Sequence, residues 1–156
     1  MFTRKHAWMW LAAGSLAAGA GAQQGPGLGV PATPEQVAGW DVSIGPDGAG
    51  LPAGSGTAAA GKTVYDAKCA ACHGAEGEGR PNDQLVGGQG TITGAAPIRT
   101  VGSYWPYATT LFDYVRRAMP YVAPHSLSAD ETYALTAFLL ARNGVIGEGD
   151  VMNAET

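Results

Sequence analysis

The 156-residue sequence is poor in positive charge, in cysteine and in methionine, and each shortage narrows what the chain can be. Nine Lys and Arg stand against thirteen Asp and Glu, for a net charge of −4. A surface of that sign repels phosphate backbones and argues against nucleic acid as a partner. Long hydrophobic runs are also missing. Outside the first twenty-odd residues no segment is apolar enough to span a bilayer, which takes about 20 consecutive residues. Nothing alternates at period two, and no strand-helix-strand pattern brackets the cysteines, so an α/β fold is not expected. Only two cysteines occur, Cys69 and Cys72, and they lie in one short segment.

The sequence opens on MFTRKHAWMWLAAGSLAAGAGA, with basic Arg4 and Lys5, an apolar stretch from Ala7 to Ala20 and the small-residue exit Ala20-Gly21-Ala22. Residues 1–22 read as a secretory signal peptide, and the mature chain is expected to begin at Gln23. A retained membrane anchor is the alternative. Its apolar stretch is shorter than a span of about 20 residues requires, and Gly14 and Gly19 weaken it as a helix. No stable membrane span is expected after cleavage. Without Arg4 and Lys5, seven basic residues face thirteen acidic ones, a net charge of −6. Export implies an oxidising compartment, where two cysteines pair by default as a disulfide.

Residues 23–56 are dominated by Gly, Pro and Ala and read as an irregular arm, with Trp40, Val42, Ile44 and Leu51 available to pin it to a globular body. The body is expected over 57–146 and a tail over 147–156. Thr57 can cap a helix that begins Ala58-Ala59-Ala60 and carries Gly61, Tyr65 and Cys69 along one face. A Gly-rich loop fills 74–94. ATTLFDYVRRA places Leu111, Val115 and Ala118 in one stripe, and Pro120 stops that helix after Met119. SADETYALTAFLLARNG has a capping box in Ser128 and Glu131, a buried face of Leu135, Phe138 and Leu139, and a stop at Gly144. The fold class is all-α.

YDAKCAACHG, from Tyr65 to Gly74, carries the chemistry. C-x-x-C-H is the attachment sequence of a c-type haem. Two thiols one helical turn apart can each add to a haem vinyl group while the adjacent imidazole turns onto the iron. One segment then holds the cofactor by two covalent bonds and one coordinate bond. Three other readings compete. A thioredoxin-like pair needs an α/β setting that is missing. A zinc site needs a fourth ligand, and adjacent Cys72 and His73 crowd one tetrahedral ion. A plain disulfide leaves His73 idle.

A haem held by His73 on one side needs a ligand on the other, and a thioether sulfur favours the reduced iron and raises the potential. Met1 and Met9 go with the signal peptide, which leaves Met119 and Met152, with His125 as the remaining imidazole. Met119 ends a helix before Pro120, whereas Met152 lies beyond the last helix with only Val151 as apolar company. Met119 is the expected distal ligand, although core packing is the ordinary fate of such a methionine. His125, after Pro124, reads as a solvent-facing loop residue.

With these residues in place the chain resembles class I cytochromes c. Gly61, Tyr65 and Cys69 match the family's Gly-x-x-x-aromatic-x-x-x-Cys helix, and LTAFL from Leu135 to Leu139 resembles its C-terminal helix. The resemblance implies a helical fold of three or more helices around one covalently bound haem c, with Gly61 and Tyr65 crossing Leu135 and Phe138. PATPEQVAGWDV, GSYWPYATTLFDYVRRAMPYVAP and EGDVMNAET are further similar to the cytochrome subunits of bacterial sulfite dehydrogenases and of the Sox sulfane dehydrogenase. There the methionine of the RAMP motif, here Met119, fits as distal ligand. Pro81-Asn82 resembles the proline region whose carbonyl receives the second ring proton of the haem histidine. Relatives often continue past NAET into a further haem domain or a short tail; this sequence stops at Thr156, so one haem is expected.

Arg99, Tyr104, Trp105 and Tyr107 precede the second helix and are candidates for the haem pocket, through propionate contacts or packing of the porphyrin edge, with ordinary core or surface roles equally open. Arg116 and Arg117 form either a solvated helix face or a docking patch. The resemblance thus implies a periplasmic electron-transfer subunit, not itself a catalyst. It would receive single electrons from a molybdenum-containing sulfite or sulfane dehydrogenase subunit and pass them to a further cytochrome or an oxidase. A free-standing carrier is one alternative, against which the long arm speaks. A haem catalyst or gas sensor with an open distal site is the other.

Overall fold

A computed structural model describes residues 27–156. The expected signal peptide, residues 1–22, lies outside the described residues. In chain order the elements are helix α1 (Pro34–Trp40), strand β1 (Ser55–Thr57), helices α2 (Ala58–Lys68), α3 (Ala70–His73), α4 (Ala108–Ala118) and α5 (Ala129–Arg142), and strand β2 (Val151–Asn153).

The core forms around α5, whose residues from Thr132 to Leu140 are all buried. Its start is fixed by the capping box: Ser128 Oγ accepts from the Glu131 amide at 3.1 Å, and Glu131 accepts from the Ser128 amide at 2.9 Å. α2 crosses α5 at Gly61. A Cβ there would overlap the carbonyl oxygen of Ala134 and lie 2.7 Å from Cβ of Phe138. Glycine is required because backbone meets backbone. One turn on, the rings of Tyr65 and Phe138 pack at 4.9 Å, tilted by 44°. The expected crossing is present, with Ala134 rather than Leu135 against the glycine; Leu135 is buried in the core beside it. Lys68 closes the same helix pair with an ion pair to Glu131 at 2.7 Å.

α4 covers the other flank of α5. Leu111, Phe112 and Val115 are buried, and Phe112 meets Tyr133 at 4.5 Å. Burying such side chains contributes about 1.5–3 kcal/mol each.

Two features depart from the sequence reading. The arm holds a helix: Thr33 Oγ accepts from the Gln36 amide at 3.3 Å, Gln36 Oε1 accepts from the Thr33 amide at 2.9 Å, and Pro34 occupies the first turn. Strands also exist, three residues each. β1 and β2 pair antiparallel with Gly56 opposite Met152, which joins the end of the arm to the tail. Met152 is therefore no stray tail residue. It is 9 % exposed and belongs to the core cluster.

Candidate functional site

The site begins where α2 ends. Cys69 caps that helix through its amide bond to the Tyr65 carbonyl (2.8 Å), and its φ of −124° turns the chain into the single turn of α3. The amides of Cys72 and His73 both donate to the Cys69 carbonyl at 3.0 Å, so the two cysteines stand one turn apart with His73 following directly. Cys69 is half-buried and Cys72 exposed, and both are free thiols. Burial pushes the Cys69 thiol up to about 11, with Lys68 opposing and Cys72 adding to the shift. That is the reverse of the depressed thiol of a redox pair.

The chain after His73 folds back over the motif. Tyr65 Oη donates to the Gly74 carbonyl at 2.8 Å, and burial raises Tyr65 to about 12, so it stays a donor at any physiological pH. Gly74 sits at φ +84°, a conformation that favours glycine. The amides of Gly79 and Asn82 donate to the carbonyls of His73 and Cys72, each at 2.8 Å. This return places the Asp83 carbonyl 2.8 Å from His73 Nδ1. A carbonyl only accepts, so Nδ1 carries the ring proton and Nε2 presents its lone pair.

The acceptor expected at Pro81 is thus Asp83. Because Asn82 is bonded over the end of α3, the carbonyl facing the ring comes two residues after Pro81, and Pro81 itself is exposed.

Met119 is the C-cap of α4, partly buried, with its amide bonded to the Val115 carbonyl at 3.1 Å and its own backbone extended. α2 and α4 both pack on α5, so the helix leading to His73 and the helix ending at Met119 share one support. Of the four pocket candidates, Arg99 and Tyr104 come together, with the guanidinium 5.6 Å from the ring centroid. Trp105 packs against the core and meets Tyr114 edge-on at 5.4 Å. Tyr107 is exposed at the N-cap of α4. His125 is exposed, at φ +62°. Arg117 is not a freely solvated charge: it grips Asp113 by two nitrogens at 2.6–3.0 Å.

Asn143 escaped the sequence reading, which took it only as part of a helix stop. It accepts from the Gly87 amide at 2.9 Å and donates to the carbonyls of Leu85 (3.1 Å) and Leu139 (2.8 Å), tying the loop after the histidine to α5. Thr100, 2 % exposed, donates to the Gly87 carbonyl of the same loop. An Asn directly after a helix and before Gly144 was the available signal.

A c-type haem fits these residues. Two thiols are set one turn apart, the imidazole is fixed in one tautomer, and apolar side chains of Ile92, Ile98, Tyr121 and Val122 are exposed on the segments that follow His73 and Met119. Among the described residues no three His, Cys, Asp or Glu side chains cluster as a metal site. No helix there is long and apolar enough to cross a membrane.

Comparison with known proteins agrees. No curated protein matches the sequence. Among solved structures, a chain from the crystal structure of the sulfane dehydrogenase SoxCD of Paracoccus pantotrophus matches with a TM-score of 0.77 and 46% identity, over 83% of this chain and 64% of that one. The family model for cytochrome c matches residues 58–143, from the first residue of α2 to the cap of α5. That span contains the two-helix crossing and the whole C-x-x-C-H turn, a motif that in this family carries covalently bound haem c with its iron; the chain belongs to the cytochrome c family.

Proposed function

We propose that this cytochrome is the electron-accepting subunit of a periplasmic, molybdenum-dependent sulfite or sulfane dehydrogenase. Its leader is residues 1–22, and it works as an electron carrier with no catalytic residue of its own. The haem, held through Cys69 and Cys72, supplies a one-electron iron couple. His73 Nε2 and Met119 Sδ are the donors that would hold the iron, and the Asp83 carbonyl keeps the His73 ring oriented. The core around α5 excludes water from one side of the site. Arg99 and Tyr104, which lie against each other, carry the donors that would meet propionates.

The observation that carries the partner is the reach of the SoxCD similarity. It covers about 130 residues, 83% of 156, and residues 57–156 account for only 100 of them. At least about 30 matched residues therefore precede Thr57, more than residues 1–22 can hold, so the match reaches into the arm that a cytochrome domain alone does not need.

Stopped-flow mixing of the oxidised holoprotein with the molybdenum subunit encoded beside it, with and without sulfite, tests the reading. Reduction that requires both enzyme and substrate is the expected result. Equal reduction by sulfite alone, or none with any sulfur-oxidising molybdenum enzyme, overturns the assignment.

A further inference from the structure

The arm divides at Ile44. From there on it is tied to the body: the Ile44 amide donates to Asp113 at 2.8 Å, Thr109 to the Pro46 carbonyl at 3.0 Å, and Tyr133 to the Pro52 carbonyl at 2.9 Å. Before it, every residue from 27 to 41 is exposed. Trp40 and Val30 are each 89 % exposed and Val37 51 %. These are not scattered side chains. Val37 and Trp40 lie three positions apart on α1, and Val30, Ala32, Val37 and Trp40 line one concavity together with Gln36 and Asp41. A seven-residue helix has little stability alone. Here the capping box and Pro34 hold it ready while it contributes nothing to the core.

Charge selects the occupant. From residue 27 to Gly61 the chain carries Glu35, Asp41 and Asp47 and no Lys or Arg. A second copy would bring the same acidic arm to the same surface and be repelled. The complementary partner has an apolar groove rimmed by Lys and Arg. The similarity to a chain of the SoxCD structure must also extend into this arm, as counted above.

We propose that α1 and residues 27–33 are a docking arm, anchored at Ile44 through Asp113, whose Val37 and Trp40 insert into a basic-rimmed apolar groove on the catalytic subunit. This rests on the partner reading above. The arm supplies affinity, and the haem-bearing body supplies the electron path. Trp40 is the anchor, since a large aromatic at the centre of a small contact carries most of its binding energy.

The test uses mature holoprotein and the purified molybdenum subunit encoded beside it, with affinity from isothermal titration and mass from light scattering. Trp40→Ala should weaken binding by about thirty-fold, with haem spectrum, melting temperature and electron-transfer rate at saturating partner unchanged. Glu35→Lys with Asp41→Lys should weaken it further at low salt and flatten its salt dependence. Wild-type binding that both variants retain overturns the docking arm and leaves the partner reading standing. A wild-type dimer that Trp40→Ala abolishes makes a second copy the occupant and overturns it too. No complex with wild-type protein overturns the partner reading, and this inference falls with it.

Discussion

The segment carrying His73 and the segment carrying Met119 are built in opposite ways. On the histidine side the chain supplies its own scaffold: the carbonyls of Cys72, His73 and Gly74 are each bonded, the ring is fixed by Asp83, and Tyr65 beneath is fully buried. On the methionine side α4 ends with one backbone bond at Met119, and Tyr121 and Val122 beyond it are 84 % and 91 % exposed. The difference teaches a division of labour. The histidine side belongs to the fold, so changes there act on stability; with Met119 as the proposed iron ligand, changes on the methionine side are expected to act on redox chemistry.

The largest test strikes the scaffold. Gly61→Ala puts a methyl into the carbonyl of Ala134, and because the obstacle is backbone the helices must separate. A loss of about 3 kcal/mol is expected, read from chemical denaturation of the holoprotein, with the reduction potential changing little in the fraction that folds. A loss below about 0.5 kcal/mol would mean that α2 does not cross α5 this closely.

Asn143→Ala comes next. It leaves the Gly87 amide without its partner and takes from the Leu85 carbonyl one of its two donors, the Val101 amide remaining, at a cost of about 2 kcal/mol. Because Leu85 follows the segment holding His73, amide exchange over 77–87 should quicken in this variant while α4 is unaffected. Equal quickening around Met119 would erase the contrast between the two sides.

Asp113 makes a smaller, pH-dependent contribution. The Arg117 side chain holds its carboxyl below the ordinary aspartate range, with the Ile44 amide assisting against the cost of burial. Its stabilisation is therefore complete above the unfolded value of about 3.9 and is lost as pH falls through the lower folded value. With Arg117 partly exposed, about 1–2 kcal/mol is the expected size. Asp113→Asn should remove that acid dependence, and Asp113→Ala should in addition free the arm at Ile44, seen as faster proteolysis before residue 44 at neutral pH. Met119→Ala should cost less than about 1 kcal/mol while lowering the reduction potential.

The sequence was legible where one local rule decides the structure. α4 and α5 follow their expected boundaries because an apolar stripe, the Ser128–Glu131 box and Pro120 each act within one helix. Gly61 and Tyr65 were legible because they carry the resemblance to class I cytochromes c, which implies the crossing. α1 was hidden by its Gly- and Pro-rich surroundings, although Thr33-Pro34-Glu35-Gln36 holds a complete N-terminal signal. β1 and β2 are too short to show alternation, so Met152 looked solitary when its place in the core depends on pairing with Gly56 across the chain. Asp83 acts through loop geometry that no residue pattern announces, and Asn143 showed only as the Asn before Gly144 at a helix end.

Carbon monoxide binding to the reduced holoprotein measures the central claim most directly. With His73 and Met119 both on the iron, the wild-type spectrum should resist carbon monoxide, and Met119→Ala should bind it readily and show a lowered potential. Ready binding by wild-type protein, or a Met119→Ala variant with unchanged spectrum and potential, would contradict the account.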